Sequence, residues 1–426
     1  MASSNRLSRD QRGDGVGLPP AIVVALDNMT GLQTARILAR HGVPVIGIAN
    51  DRTHYCAKTR VCQQILEAHT GSEALIETLE ALGPTLPQKA VLVPCSDMSV
   101  LTISRYRDRL HEWYHMSLPE HDTIEMLMDK VRFCTYAQEH GLPVPKMFLL
   151  YNRQDAEAAA DALNYPCILK PPMKTPGWEA NSKEKVYRAM SREEFLAVYD
   201  RCSNWADVLM VQEWVEGKDS DLYSCNVYFN AQSEPLVTFV ARKLRQWPPE
   251  TGTSCLGEEV RNDVVLEETI RLFKSVNYQG LGYVEMKRDE RTGKHYIIEP
   301  NIGRPTGRSA IAEAGGVELV YTMYCDAAGL PLPGPYVQQY TGVKWIYLRR
   351  DFQSALHYWR RGELTLRDWW RSVRGRKAYA IFSWSDPVPF LADLWRSAGL
   401  FVRRGGKRAR SDADASSVTP QLGGSM

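Results

Sequence analysis

No run of residues in this 426-residue chain approaches the roughly 20 uninterrupted apolar residues that cross a bilayer. The opening stretch, MASSNRLSRDQRGDGVGLPP, has no apolar core of the kind a secretory signal needs and is expected to be a disordered lead-in. The nine cysteines are odd in number, scattered, and form no C-x-x-C pair. That usage argues against a disulfide framework and a zinc site, and for reduced thiols in the cytoplasm. Also missing are the G-x-S-x-G elbow and a Cys–His arrangement suited to a nucleophile, so no protein nucleophile is expected. The histidines, among them His111, His115, His121 and His295, are scattered and read as surface or structural groups.

Charge is not short overall, but it is uneven. The net is +2, yet sixteen Lys/Arg stand against five Asp/Glu between Lys344 and Arg410. That local +11 leaves −9 on the rest of the chain. Apolar content of 44% and charged content of 24% are ordinary for a globular protein. The length allows two or three domains.

Residues 21–51 read as strand, helix and strand: AIVVAL is a buried apolar run, GLQTARILARHG has helical spacing closed by Gly42, and VPVIGIAND is a second buried run. This is a parallel βαβ opening. The G-x-G-x-x-G fingerprint is absent, with only Gly31 in the turn, which favours a structural Rossmann-like unit over a cofactor site. A second unit begins near TIEMLMDKVRF, a helix with Lys130 near its start, followed by the strand YPCILK that delivers Lys170 before Pro-Pro.

Chemistry concentrates in GYVEMKRDERTGKHYIIEPNIGRP, a hairpin. Side chains alternate along a strand, so Glu299 and Asn301 point the same way. The turn brings Glu285 alongside, and these hard oxygen donors suit Mg²⁺. Ordinary cross-strand ion pairs with Lys287 or Lys294 are the competing reading. Lys130 and Lys170 each sit where a rigid element meets a break, as suits a charge directed at phosphate, although either alone reads as a surface lysine. VQEWVEGKD offers backbone at Glu213 to Val215 for a purine edge, and Asp219 for ribose hydroxyls. ARKLRQWPPETGTSCLG adds Arg242, Lys243 and Arg245 as an anion clamp, and Arg304 and Arg308 follow the hairpin.

The order Lys130, ILKP, VQEWVEG, GYVEMKRD, IIEPNIGR resembles the ATP-grasp superfamily, and RKLRQWPPETGTS resembles its carboxylate–amine ligase branch, over about residues 20–330. The resemblance implies an α/β and α+β protein: a lead over 1–19, a Rossmann-like domain over 20–118, and a two-lobed ATP-grasp domain over 119–330 (lobes about 119–210 and 211–330). A Trp/Arg-rich helical extension over 331–402 and a disordered tail over 403–426 complete the expectation. It further implies that Lys130 and Lys170 contact ATP phosphates, that Gln212, Glu213 and Val215 meet adenine, and that Asp219 holds ribose. Glu285, Glu299 and Asn301 would carry one or two Mg²⁺ ions, with Mn²⁺ an alternative. Arg242, Arg304 and Lys287 are the candidate catalytic cations. Two departures matter. The loop after Lys170 has one glycine where many relatives have a Gly-rich phosphate cover, which leaves Lys174, Lys183 or Lys185 to substitute. Tyr283 stands where peptide ligases of the superfamily carry an Arg, so Arg242 or Arg304 would stabilise the acylphosphate oxyanion.

The implied activity joins a small-molecule carboxylate to an amine, with an acceptor such as bicarbonate as a rival, or a catalytically inactive nucleotide sensor or scaffold. A homodimer is an open partner reading. The C-terminal segment holds six of the eleven tryptophans among its arginines. Packing against the body is favoured, with peripheral contact to an anionic membrane as the alternative. Nucleic acid is not expected, since no known module is present.

Overall fold

The computed structural model describes residues 17–397 except 174, 183, 185, 250, 251 and 335. The expected disordered ends, apart from residues 17–19, and the three candidate loop lysines lie outside the described residues.

Strands β1 (Ala21–Val24), β2 (Val45–Ala49), β3 (Gln64–Glu67), β4 (Ala90–Pro94) and β5 (Tyr114–His115) form a parallel sheet in the order β3-β2-β1-β4-β5. β1, β2 and β4 are buried at every position, as their unbroken apolar sequences require. The helix Met29–Arg40 is capped by Asn28, whose oxygen accepts from the Gly31 amide at 2.9 Å. A Cβ on Gly31 would strike the Ala25 carbonyl, so the tight turn requires this glycine.

Strands β6 (Met147–Leu150), β7 (Cys167–Lys170), β8 (Tyr187–Ala189) and β9 (Leu209–Glu213) make an antiparallel sheet in the order β6-β9-β7-β8. Alternation divides its faces. Cys167, Leu169, Leu209 and Val211 close a small separate core, whereas Met147 and Met210 join the main one.

The third sheet holds β10 (Leu222–Phe229), β11 (Pro235–Trp247), β12 (Thr253–Glu259), β13 (Gly280–Arg288), β14 (His295–Ile302), β15 (Lys344–Ile346) and β16 (Lys377–Tyr379). Their order is β14-β13-β10-β11-β12-β15-β16, antiparallel except for the β15–β16 pair. One apolar cluster runs from Ile22 and Leu92 of the first sheet to Val227, Val284 and Ile302 of the third, so these two layers share a core.

The C-terminal extension is not purely helical. It adds β15 and β16 to the sheet, covering the edge that β12 would otherwise leave unpaired. Three-residue strands are too short to carry a readable period. The segment is also stitched to the first domain: Arg36 is buried against Asp386 at 2.9 Å, and Trp345 donates its indole N–H to Gln33 at 3.2 Å. No helix among the described residues is long and apolar enough to cross a membrane.

Candidate active site

β13 and β14 run antiparallel with Glu285 opposite Glu299 and Tyr283 opposite Asn301, and a bulge follows Glu285. Two carboxylates are therefore direct cross-strand neighbours, a pairing that by itself destabilises a sheet. Glu285 has partial compensation, since the Lys243 ammonium lies 3.2 Å away and the Arg308 guanidinium 3.8 Å. Burial pushes the Glu285 carboxyl up, but those two cations outweigh it and hold the group below its ordinary range. Glu299 goes the other way. Burial raises it first, the charge on Glu285 raises it further, and Lys130, the Asn301 side chain and Lys243 recover only part. One carboxyl is satisfied and its neighbour is short of positive charge.

Asn301 accepts from Arg304 Nη2 at 2.7 Å, while its own Nδ2 is buried with no hydrogen-bond partner among the described residues. An orphaned buried donor costs about 1–3 kcal/mol. No group of three or more His, Cys, Asp and Glu side chains gathers for a metal among the described residues. The donor set is instead two carboxylates and an amide oxygen with one lone pair left. That set fits a hard ion such as Mg²⁺ that completes its shell with water and phosphate, and not an all-protein cage.

Arginines frame this cluster. Arg308 is fully enclosed and donates to Ser254 Oγ at 3.2 Å and Ser224 Oγ at 2.9 Å. Arg304 lies over the Tyr283 ring, 5.5 Å from its centroid, and donates to its hydroxyl at 3.2 Å. It also pairs with Asp97, at the start of the helix that follows β4, and so ties the first sheet to the hairpin.

On the nucleotide side, Lys130 begins the helix Lys130–Glu139, whose N-cap Asp129 accepts from the Val131 and Arg132 amides. Lys170 ends β7, and Gln212 on β9 faces the same way, with its Nε2 3.9 Å from Cys134 Sγ. Burial raises the Cys134 thiol, against the nearby charges of Lys130 and Lys170. Lys130, Lys170 and Gln212 are thus brought together around one cysteine, and Lys130 also reaches the field of Glu299.

Other expected site residues have protein partners of their own. Arg242 is bound to Glu258, its cross-strand partner, with Nε 2.8 Å from the carboxylate. Consecutive strand residues face opposite ways, so Lys243 enters the cluster and Arg242 does not. Asp219 accepts one hydrogen bond on each oxygen, from Gln246 Nε2 and from Tyr358 Oη, each at 2.7 Å. Glu213 accepts from the Asn164 amide and side chain at 2.9 and 2.8 Å. Its own N–H donates to Lys146, and that of Trp214 to Pro166, which leaves the Val215 N–H without a partner among the described residues. Lys287 sits over the Trp214 ring at 5.3 Å, beside the hinge. Lys243 and Arg308 are the cations whose central place the sequence did not single out. The signal for Lys243 was the two-residue period of β11, readable only once the cleft face of the sheet is known.

No family model matches the chain. It is 22% identical over 232 residues to a D-aspartate ligase of Enterococcus faecium, covering 52% of this chain and 55% of that one. It therefore spans about half the length of the curated relatives it matches. Among solved structures, phosphoribosylglycinamide synthetase of Anaerococcus prevotii superposes with a TM-score of 0.59 at 15% identity, over 74% of this chain and 76% of that one. The biotin carboxylase domain of Hydrogenobacter thermophilus 2-oxoglutarate carboxylase, solved with MgADP, ADP and bicarbonate, gives 0.58 at 17%, over 75% and 72%. These likenesses agree on the fold, and over about half its length the chain is similar in sequence to this D-aspartate ligase and to D-alanine–D-alanine ligases.

Proposed function

We propose that the protein is an ATP- and Mg²⁺-dependent ligase that joins a small-molecule carboxylate to an amine. The observation that carries this reading is the Glu285–Glu299 pair, like charges side by side with one carboxyl held above its ordinary range. Glu285, Glu299 and Asn301 would hold the metal, which when bound draws negative charge from the nucleotide phosphates. The number of ions, and exchange with Mn²⁺, belong to the same proposal.

The chain's own residues do the rest. Lys130 and Lys170 direct positive charge at the phosphates, and Gln212 with the Val215 N–H faces the purine edge. A substrate carboxylate oxygen attacks the γ-phosphorus and the bond to the β-phosphate oxygen breaks, releasing ADP. Amine attack on the acylphosphate carbon expels phosphate, and the nitrogen loses a proton as the amide forms. Arg304 supports the oxyanion of that second step, because its guanidinium occupies the space beside Tyr283 where an arginine is otherwise lacking. A homodimer and peripheral contact with an anionic membrane are the proposed partner relations. Bicarbonate as a reacting partner is the second reading, favoured by the likeness to a carboxylase domain solved with that anion.

The test is a screen of carboxylates against amines and bicarbonate, read by ADP formation and by mass spectrometry of products. ADP that forms only when both organic partners are present, with a new amide mass, supports the ligase. ADP that needs bicarbonate supports the second reading, and nucleotide binding with no turnover for any pair contradicts both.

A further inference from the structure

Two helices of the C-terminal segment are packed inside out. On Leu348–Arg360 the buried residues are Asp351, Ser354 and Ala355. Leu348, Phe352 and Trp359 are 40%, 61% and 51% exposed, and their spacing puts them on one stripe. On the helix over 388–397, Asp393 turns inward to the Tyr347 hydroxyl at 3.2 Å and to Arg349 at 3.1 Å, while Leu391, Leu394 and Trp395 face out. A surface helix of a water-soluble protein ordinarily does the reverse. Ahead of that last helix, Arg36 grips both ends of one loop, donating to the Ile381 carbonyl at 2.7 Å and to the Asp386 carboxylate at 2.9 Å. Trp384 projects from that loop, 89% exposed.

These side chains are held outward by design of the packing beneath them. Asp351 is fixed by Arg245 at 2.8 Å, and Asp393 and Asp386 by their own arginines, so no small rotation would bury the apolar faces without stranding a buried carboxylate. Of eighteen large apolar side chains exposed among the described residues, nine lie between 348 and 395, including all four exposed tryptophans. Exposure on that scale marks an interaction surface.

Charge identifies the partner. Three of the five acidic residues from 344 to 397 are consumed in the buried pairs, which leaves Glu363 and Asp368 facing solvent against Arg360, Arg361, Arg367, Arg371, Arg374 and Arg376. We infer that this segment docks the protein on an anionic phospholipid surface, with tryptophans at headgroup depth, leucine and phenylalanine in the acyl boundary and arginines on the phosphates. A second copy of the same face would bring like charge onto like. A nucleic acid offers phosphate but no apolar layer for Leu391, Leu394 and Phe352.

The test uses the full chain with vesicles of neutral or anionic phospholipid, at low and high salt and without ATP, so that its result is independent of the ligase reading. The full chain is expected to pellet with anionic vesicles about tenfold more than with neutral ones, and less at high salt. Trp384→Ser with Trp395→Ser should remove most of that binding while leaving the thermal midpoint and any ADP formation unchanged. Equal partition onto neutral and anionic vesicles, or equal pelleting of the wild type and the double variant, overturns the proposal. So does self-association, or binding to single-stranded nucleic acid, that the double variant abolishes while vesicle binding is absent.

Discussion

The hairpin cleft and the C-terminal segment both bury carboxylates, and they treat them oppositely. In the C-terminal segment every buried acid is answered: Asp386 accepts from Arg36, Thr59 and the Arg60 amide, and Asp351 accepts from Arg245 and the Trp369 indole. Apart from the buried Nε2 of His357, what is left without a partner there among the described residues is apolar. In the cleft, Glu299 faces Glu285 across the strand pair and Asn301 keeps a buried donor idle. A fold that satisfies three deep carboxylates so thoroughly in one place leaves a shortfall in another, and the proposed function puts a cation and phosphates at that shortfall. On that proposal the same buried residue type is structural in one region and functional in the other, and the difference lies in its partners.

Variants can break that contrast. The largest effect is expected on turnover: Lys170→Ala or Glu299→Gln should lower ADP formation about a thousandfold or more with an unchanged thermal midpoint. Near wild-type rates in either would remove the cleft from the chemistry. Asp386→Ala should do the opposite, costing about 3–5 kcal/mol of stability by stranding Arg36, as read by denaturant unfolding.

A third acid sharpens the comparison. Glu313 is partly buried, accepts one backbone N–H from Val320 at 3.1 Å, and its carboxyl is pushed up to about 8 by burial. The folded state thus keeps a proton that the unfolded state loses near its ordinary pKa. Stability from this group is full below the unfolded value and falls as pH rises toward 8. Glu313→Gln should flatten that slope, raising stability near pH 8 by roughly 2–5 kcal/mol relative to wild type. An unchanged pH profile would mean that the site is hydrated. The smallest effect is expected at Arg242→Ala, where loss of a half-exposed pair with Glu258 should cost about 1 kcal/mol or less and leave turnover intact. Lys243→Ala should sharply reduce turnover. If the two behave alike, the facing of β11 is misread.

Much of this was legible in the sequence, for physical reasons. Apolar runs reported β1, β2 and β4 because buried parallel strands tolerate little else, and the hairpin was readable because its period of two brackets a turn. Side-chain facing was less accessible. Arg242 and Lys243 are chemically near-equivalent neighbours, and only the direction of the cleft separates them. Asp219 sits well placed in the chain for a ribose, yet Gln246 and Tyr358, 27 and 139 residues away, each donate to one of its oxygens. Long-range partners of that kind leave no local trace. The three-residue strands β15 and β16 left none either, because their pairing is decided by the edge they cover.

The most direct test of the central claim is a calorimetric titration of ADP with and without Mg²⁺ into the wild type and into Glu285→Gln. The account predicts that Mg²⁺ tightens ADP binding to the wild type about tenfold or more, that the variant loses this gain, and that metal-free ADP binds both alike. A Mg²⁺ effect of the same size in both proteins would contradict it.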